Sequence, residues 1–365
     1  MKLNEITETL EKISPTVFQE HYDNCGLIIG NKNTECTGIL CTLDVTEAVI
    51  AEAVEKKCNV IVAHHPIIFT GLKKLNGNNY AEKAVIAAIK NDIAIYAIHT
   101  NLDNVLAGVN AMIADKLHLI NRKILLPKNN LLMKLFTFVP VEYAEKVKAA
   151  IFEAGAGHIG NYSECSFYAE GTGTFKAGDN TTPFVGEIGK IHEEKELKIE
   201  VIFPAHLQAK VVDALLTVHP YEEVAYDLVP TANSFDLVGS GMMGELPEPK
   251  NETAFLTEIK AAFGLQVIKH TALTGRKVKK VAVCGGSGSF LMKTALAARA
   301  DFYITADIKY HEFFDAEGQL VVADIGHWES EQFTPDLLVG VLKANFPTFA
   351  VLKSEVNTNP VKYFM

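Results

Sequence analysis

Paired cysteines are missing from this sequence: Cys25, Cys36, Cys41, Cys58, Cys165 and Cys284 stand apart, with no C-x-x-C spacing. Several sit in apolar surroundings, so they read as small buried residues in a reducing compartment. Long apolar runs are missing too, since no stretch reaches the ~20 residues that cross a bilayer. The amphipathic start MKLNEITETLEKI, with Leu3, Ile6, Leu10 and Ile13 at helical spacing, lacks the cationic start and apolar centre of a secretory signal. These absences lead to the expectation of a cytoplasmic protein with no membrane attachment. Positive charge is also in short supply, the formal net charge being −10. That argues against nucleic acid as a partner, because such binding draws its affinity from phosphate neutralisation. A local basic patch or bound divalent cations would still create an anion site.

What is present is a globular composition, 48% hydrophobic and 21% charged over 365 residues, long enough for two domains. In residues 1–128, GILCTLD (38–44), NVIVA (59–63) and DIAIYAIH (92–99) read as strands. Helical spacing runs from Thr46 to Lys57, Tyr80 to Lys90 and Gly108 to Leu117. Residues 237–365 repeat the pattern, with strands at 279–288, 301–305 and 319–326 and helices at 295–300, 309–315 and 330–343. This alternation predicts an α/β fold: a three-layer core with a largely parallel sheet formed jointly by the two segments. Residues 130–235 differ, reading strand, helix, strand, strand, helix, strand, the order of a ferredoxin-like insert. TANSFDLVGSGMMGELPEPK, with its Gly, Ser and Pro, reads as a linker at the far boundary of that insert.

Chemistry concentrates at strand ends. VIVAHHPIIFTG (60–71) places His64 and His65 together where a buried strand exits. Neighbouring side chains of a strand face opposite ways, but Pro66 keeps the exit extended, so both rings can project over the end of the sheet, where α/β folds place ligands. A hydrogen-bonded pair in a tight strand exit is the plainer alternative. AIHTNLDN supplies His99 and Asp103 after the next strand. Asp103 can be a ligand or a helix N-cap, and His99 suits a role behind the ligands or as a proton relay. GHWESEQF puts His327 and Glu331 four residues apart on one helix face. Glu329 and Ser330 read as ordinary first-turn residues.

Together His64, His65, Asp103, His327 and Glu331 exceed the four ligands of a closed structural zinc site. They fit two divalent ions, zinc, manganese or iron, bridged by a carboxylate, with Glu331 the best bridge. CGGSGSF (284–290) is not a P-loop and reads as a tight turn near the site. Asp44 reads as a residue orienting a ligand. Asp307, Lys309, Tyr310 and His311 read as possible cavity-lining residues, His311 as a proton shuttle. Lys73 and Lys74 read as solvated.

AHHPIIF, HTNLDN and GHWESEQ resemble the three signature segments of the NGG-interacting-factor-like family, whose members are labelled GTP cyclohydrolase I type 2 homologues. HYDNCGLIIG (21–30) resembles its N-terminal signature, with Tyr22 where tryptophan is usual, and ITADIKYHEFFDA (304–316) its late one. HPYEEVAYD (219–227) gives the insert a likeness to P-II and CutA domains. The resemblance implies two ions per chain on His64, His65, Asp103, His327 and Glu331, and a ring-shaped homo-hexamer with the sites facing an internal cavity. The expectation is a metal-dependent hydrolase of a nucleotide-like anion, opening the purine ring of GTP with release of formate. The alternative is a non-enzymatic metal-binding regulatory or adaptor protein.

Overall fold

The structure, a computed structural model, describes residues 1–364. The chain divides into two compact units, Met1–Pro127 with the chain from Asp236 onward, and Lys128–Phe235.

The first unit carries two sheets. One holds five strands in the order Gly26–Ile29, Ala94–Ala97, Val60–Ala63, Ile39–Thr42, Val351–Lys353. Gly26–Ile29 runs antiparallel to its neighbour and the others are parallel. ILCT, VIVA and AIYA are buried throughout, as parallel strands covered on both faces require. Helices Glu47–Glu55 and Tyr80–Lys90 cover one face, their Val49, Ile50, Ala84 and Val85 packing with Leu40, Ile61 and Ile95. Each helix begins at a side-chain cap: Thr46 Oγ1 accepts the Val49 N–H at 3.3 Å and Asn79 Oδ1 the Glu82 N–H at 2.9 Å.

The second sheet orders its strands Lys269–His270, Val321–Asp324, Phe302–Ala306, Lys277–Ser287, Ser234–Asn251, Ile120–Asn129. Lys277–Ser287, Phe302–Ala306 and Val321–Asp324 are parallel, and the strands on either side pair with them antiparallel. The α/β class expected from the sequence is present, but as two sheets instead of one. Apolar four-residue strands look alike in sequence, and their partners are chosen by long-range contacts. Thus Val351–Lys353 leaves the C-terminal segment to pair with Ile39–Thr42.

TANSFDLVGSGMMGELPEPK is a strand, not a linker: Ser234–Asn251 pairs with Lys277–Ser287 and buries Val238, Met242, Met243 and Leu246. Two of its glycines serve close approach. A β-carbon at Gly239 would lie 2.1 Å from the Leu126 carbonyl oxygen, and one at Gly244 2.9 Å from Leu119 Cβ. Two smaller differences concern helices: 309–315 is a 3-10 helix, Tyr310–Ala316, and the closing helix is split into His327–Glu331 and Thr334–Asn345.

The second unit is a four-stranded antiparallel sheet ordered Ser166–Lys176, Ile191–Pro204, Leu132–Pro140, Tyr226–Pro230. Helices Ala144–Glu153 and Gln208–Val218 lie on one face, with Val147, Ile151, Val211 and Leu215 against Leu135, Ile199 and Val201. No helix among the described residues is long and apolar enough to cross a membrane.

Gly239→Ala tests the packed strand. Its β-carbon has no room beside Leu126, so urea unfolding should show a loss of about 1–3 kcal/mol, as overpacking produces. A change within about 0.5 kcal/mol, typical of free surface positions, would restore the linker reading.

Candidate metal centre

The carboxyl ends of the parallel strands lie level, with Thr42, Ala63 and Ala97 in register. The ladder continues past them: His64 N–H donates to Thr42 O at 3.1 Å, His65 N–H to Leu43 O at 2.9 Å, and Ile98 N–H to Ala63 O at 2.9 Å. Both histidines are therefore held as an extension of the strand, their ring centres 4.9 Å apart. From the second sheet, Thr305 and Asp324 are level, and the chains after them deliver Asp307 and His327. Gly326, at φ +93°, turns the chain into the short helix His327–Glu331, a conformation that favours glycine.

Four imidazoles converge here, and each is held through its Nδ1. His64 Nδ1 lies 2.8 Å from the Ile98 carbonyl, His65 Nδ1 2.7 Å from Asp44 Oδ1, His99 Nδ1 2.9 Å from Asp23 Oδ1, and His327 Nδ1 2.6 Å from Asp307 Oδ2. In a neutral ring, an Nδ1–H donated to oxygen leaves the Nε2 lone pair available, the arrangement found behind metal-bound histidines. The anchors are themselves tied. Asp44 accepts from Thr358 Oγ1 at 2.5 Å, and Asp23 accepts from the Thr100 N–H, the Thr100 hydroxyl and Cys25 Sγ.

Glu331, 2% exposed, stands at the centre. Its Oε2 lies 3.0 Å from His65 Nε2 and 3.2 Å from His327 Nε2, and its Oε1 lies 3.8 Å from His64 Nε2. His64 Nε2 is in turn 3.6 Å from Asp103 Oδ1, and these two atoms are buried without a hydrogen-bond partner. Three groups have the spacing of a metal site: His64, Asp103 and Glu331; His65, His327 and Glu331; and His64, His65 and His99. Burial and the Glu331 charge hold the Asp103 carboxyl well above the usual carboxylate range. Burial also opposes ionisation of Glu331, yet His327, His64 and His65 hold it well below that range. Burial pushes the His64 imidazole down to about 4. His65 is pushed up to about 10 against its burial by Asp44 and Glu331, and His327 up to about 9, also against burial, by Glu331 and Asp307.

The five expected ligands and His99 thus meet in one place, and all but the fully buried His64 border a cavity of about 820 Å³ that Tyr22, Phe69 and Phe290 also line. Asp44 and Asp307 lie behind His65 and His327. His311 is not at the site: it lies exposed beside Tyr310 and Phe314. Lys73 and Lys74 are exposed. Ser330 and Glu329 are more than first-turn residues. Ser330 Oγ accepts the Gly286 N–H at 2.9 Å and donates to His327 O at 2.8 Å, tying the helix His327–Glu331 to CGGS, which is the irregular end of strand Lys277–Ser287 and not the tight turn expected from the sequence. Glu329 Oε1 accepts from Asn359 and Tyr363 of the C-terminal tail. Gly286, at φ +61°, lies so near that a β-carbon there would be 2.4 Å from Glu331 Oε1. Asp23 was legible only as part of a motif, since nothing in its spacing points to His99.

Fold and site together define an α/β protein with a buried, histidine-rich cluster whose side chains have the spacing to hold metal ions. The sequence matches the profile described as Duf34/NIF3 (NGG1p interacting factor 3) over residues 1–360, and the chain belongs to that family. It is 38% identical over 365 residues to a Bacillus subtilis protein named GTP cyclohydrolase 1 type 2 homolog, with 98% of each covered. A protein of the same name from Halalkalibacterium halodurans is 39% identical over 364 residues, again with 98% of each covered. Among solved structures, a Bacillus cereus protein related to NIF3 superposes with TM-score 0.87 at 38% identity, covering 100% of this chain and 99% of that one.

Gly286→Ala would force Glu331 aside and strain a left-handed backbone. Calorimetric titration with Zn²⁺ should show affinity reduced by about tenfold or more, a shift of at least 1.4 kcal/mol. Unchanged affinity would mean that Glu331 does not take part in binding.

Proposed function

We propose that this chain is a dinuclear-metal hydrolase acting on a nucleotide-like anion, with GTP the leading substrate and purine ring opening with formate release the reaction. The observation that carries the reading is the pair of three-residue groups sharing Glu331. His64, Asp103 and Glu331 would hold one divalent ion, and His65, His327 and Glu331 the other. The donor set fits: two buried polar atoms, His64 Nε2 and Asp103 Oδ1, lack a hydrogen-bond partner, and mixed imidazole and carboxylate ligands suit zinc, manganese or iron. Divalent ions held by these residues would supply Lewis-acid polarisation of a substrate oxygen and a water of lowered pKa.

The chain's own residues supply orientation. Asp44, Asp307 and the Ile98 carbonyl hold the Nδ1 protons, so the opposite ring nitrogens stay fixed on the centre. His99, anchored by Asp23, would relay a proton at the edge of the group. Tyr22 and Phe69, stacked with ring centres 6.3 Å apart, offer a flat apolar surface for a purine in the same cavity. The printed name of the relatives supports GTP as the first substrate to try.

We further read residues 1–128 and 237–365 as the metal-binding core, residues 130–235 as an inserted ferredoxin-like domain of P-II/CutA type, and the assembly as a homo-hexamer in a cytoplasmic setting. A regulatory or adaptor role is the second reading, favoured by the ligand-sized cavity of about 660 Å³ that the insert carries.

Elemental mass spectrometry on untagged protein purified without chelators should find about two ions per chain. Glu331→Ala and Asp103→Ala should each lose at least one; full retention in either would remove that residue from the ligand set. Glu331→Gln should abolish formate release from GTP while leaving the assembly intact, whereas an adaptor would keep partner binding in that variant. Light scattering should return the mass of six chains, and a smaller particle would overturn the hexamer.

A further inference from the structure

The insert holds a second built site, independent of the metal reading. Phe138, Glu196 and Lys198 alternate along their strands with Val139, Leu197 and Ile199, which pack under the helices. They therefore stand on the opposite face of the sheet. There Phe138, Phe175, Phe184 and Tyr221 line the cavity of about 660 Å³, within the range of small-molecule pockets. Tyr221 has both Phe175 and Phe184 at 6.2 Å between ring centres.

At this wall lies Glu196, a carboxylate only 8% exposed. Its Oε1 accepts from the Tyr221 hydroxyl at 2.8 Å. Gly173 makes room for it, since a β-carbon there would lie 2.2 Å from Oε2. No cation among the described residues pairs with Glu196. Lys198 is engaged with Glu200 at 3.2 Å and with the ring of Phe136. His219 uses one ring nitrogen on the Tyr221 N–H and the other on the Phe138 carbonyl. Buried carboxylates are almost always paired, because an isolated buried charge is costly. Glu170, Glu222 and Glu223 also line the cavity, as do Lys176 and Lys198, so acidic side chains outnumber basic ones around it.

We propose that this cavity binds an organic cation: a protonated amine on an apolar or aromatic body, its ammonium on Glu196 and its body among the four rings. Carboxylate and aromatic faces both attract such a cation, the rings through their quadrupoles.

Calorimetric titration of the full-length protein with tryptamine, and with indole-3-propionate as a near-isosteric anion, tests the site. Tryptamine should bind and indole-3-propionate should not. Glu196→Gln, whose amide oxygen can still accept from Tyr221, should weaken tryptamine by about 10- to 100-fold, the range for losing a hydrogen bond to a charged group. Gly171→Leu offers a control that leaves the carboxylate in place. Gly171 is level with Glu196 on the neighbouring strand, a β-carbon there meets nothing within 4 Å, and leucine would fill the cavity and abolish binding. Metal content should be unchanged in both variants. Failure of tryptamine to bind, equal binding of the two probes, or binding that survives both substitutions would overturn the proposal.

Discussion

A carboxylate buried among three imidazoles cannot stay charged without compensation, and the architecture of the first unit follows from supplying it. Glu331 is 2% exposed, with His65 and His327 on one oxygen and His64 near the other. Asp103 adds a second, half-buried acid whose buried Oδ1 has no hydrogen-bond partner, so protein donors alone leave the balance incomplete. Breaking such a cluster by removing one partner leaves an uncompensated buried charge, which typically costs about 3–5 kcal/mol.

Two sheets share that work. The strand ends of the first deliver His64, His65 and His99, while the second delivers Asp307 and the His327–Glu331 helix. Anchoring each ring at Nδ1 fixes both its tautomer and its direction. The C-terminal tail adds a further layer. Thr358 donates to Asp44, which holds His65, and Asn359 and Tyr363 donate to Glu329 on the ligand helix. The insert keeps its own core and its own cavity, so its chemistry can differ from that of the histidine cluster.

Much of this was legible in the linear chain because the informative features are local. Four-residue apolar strands and polar groups just beyond strand ends both follow from short-range chemistry. The HHP, HTNLDN and GHWESE segments announce themselves by residue type and spacing. Features set by distant partners were not legible. The glycines of SFDLVGSGMMGEL look like linker residues until Leu126 and Leu119 are placed against them. Ser330 looks like a first-turn residue until Gly286 donates to it. His311 follows a strand end as His65 does, yet its 3-10 helix leaves it exposed.

The sequence by itself therefore determined which residues belong to the histidine cluster, the α/β alternation, and the strand–helix order of the insert, because propensity and side-chain type act within a few residues. Tertiary structure decided the rest: that there are two sheets, that Asp23, Asp44 and Asp307 stand behind the histidines, and that Glu331 lies between His64, His65 and His327. Those facts depend on which buried strands pair and which charges must be compensated, and these are set by contacts between residues far apart in the chain.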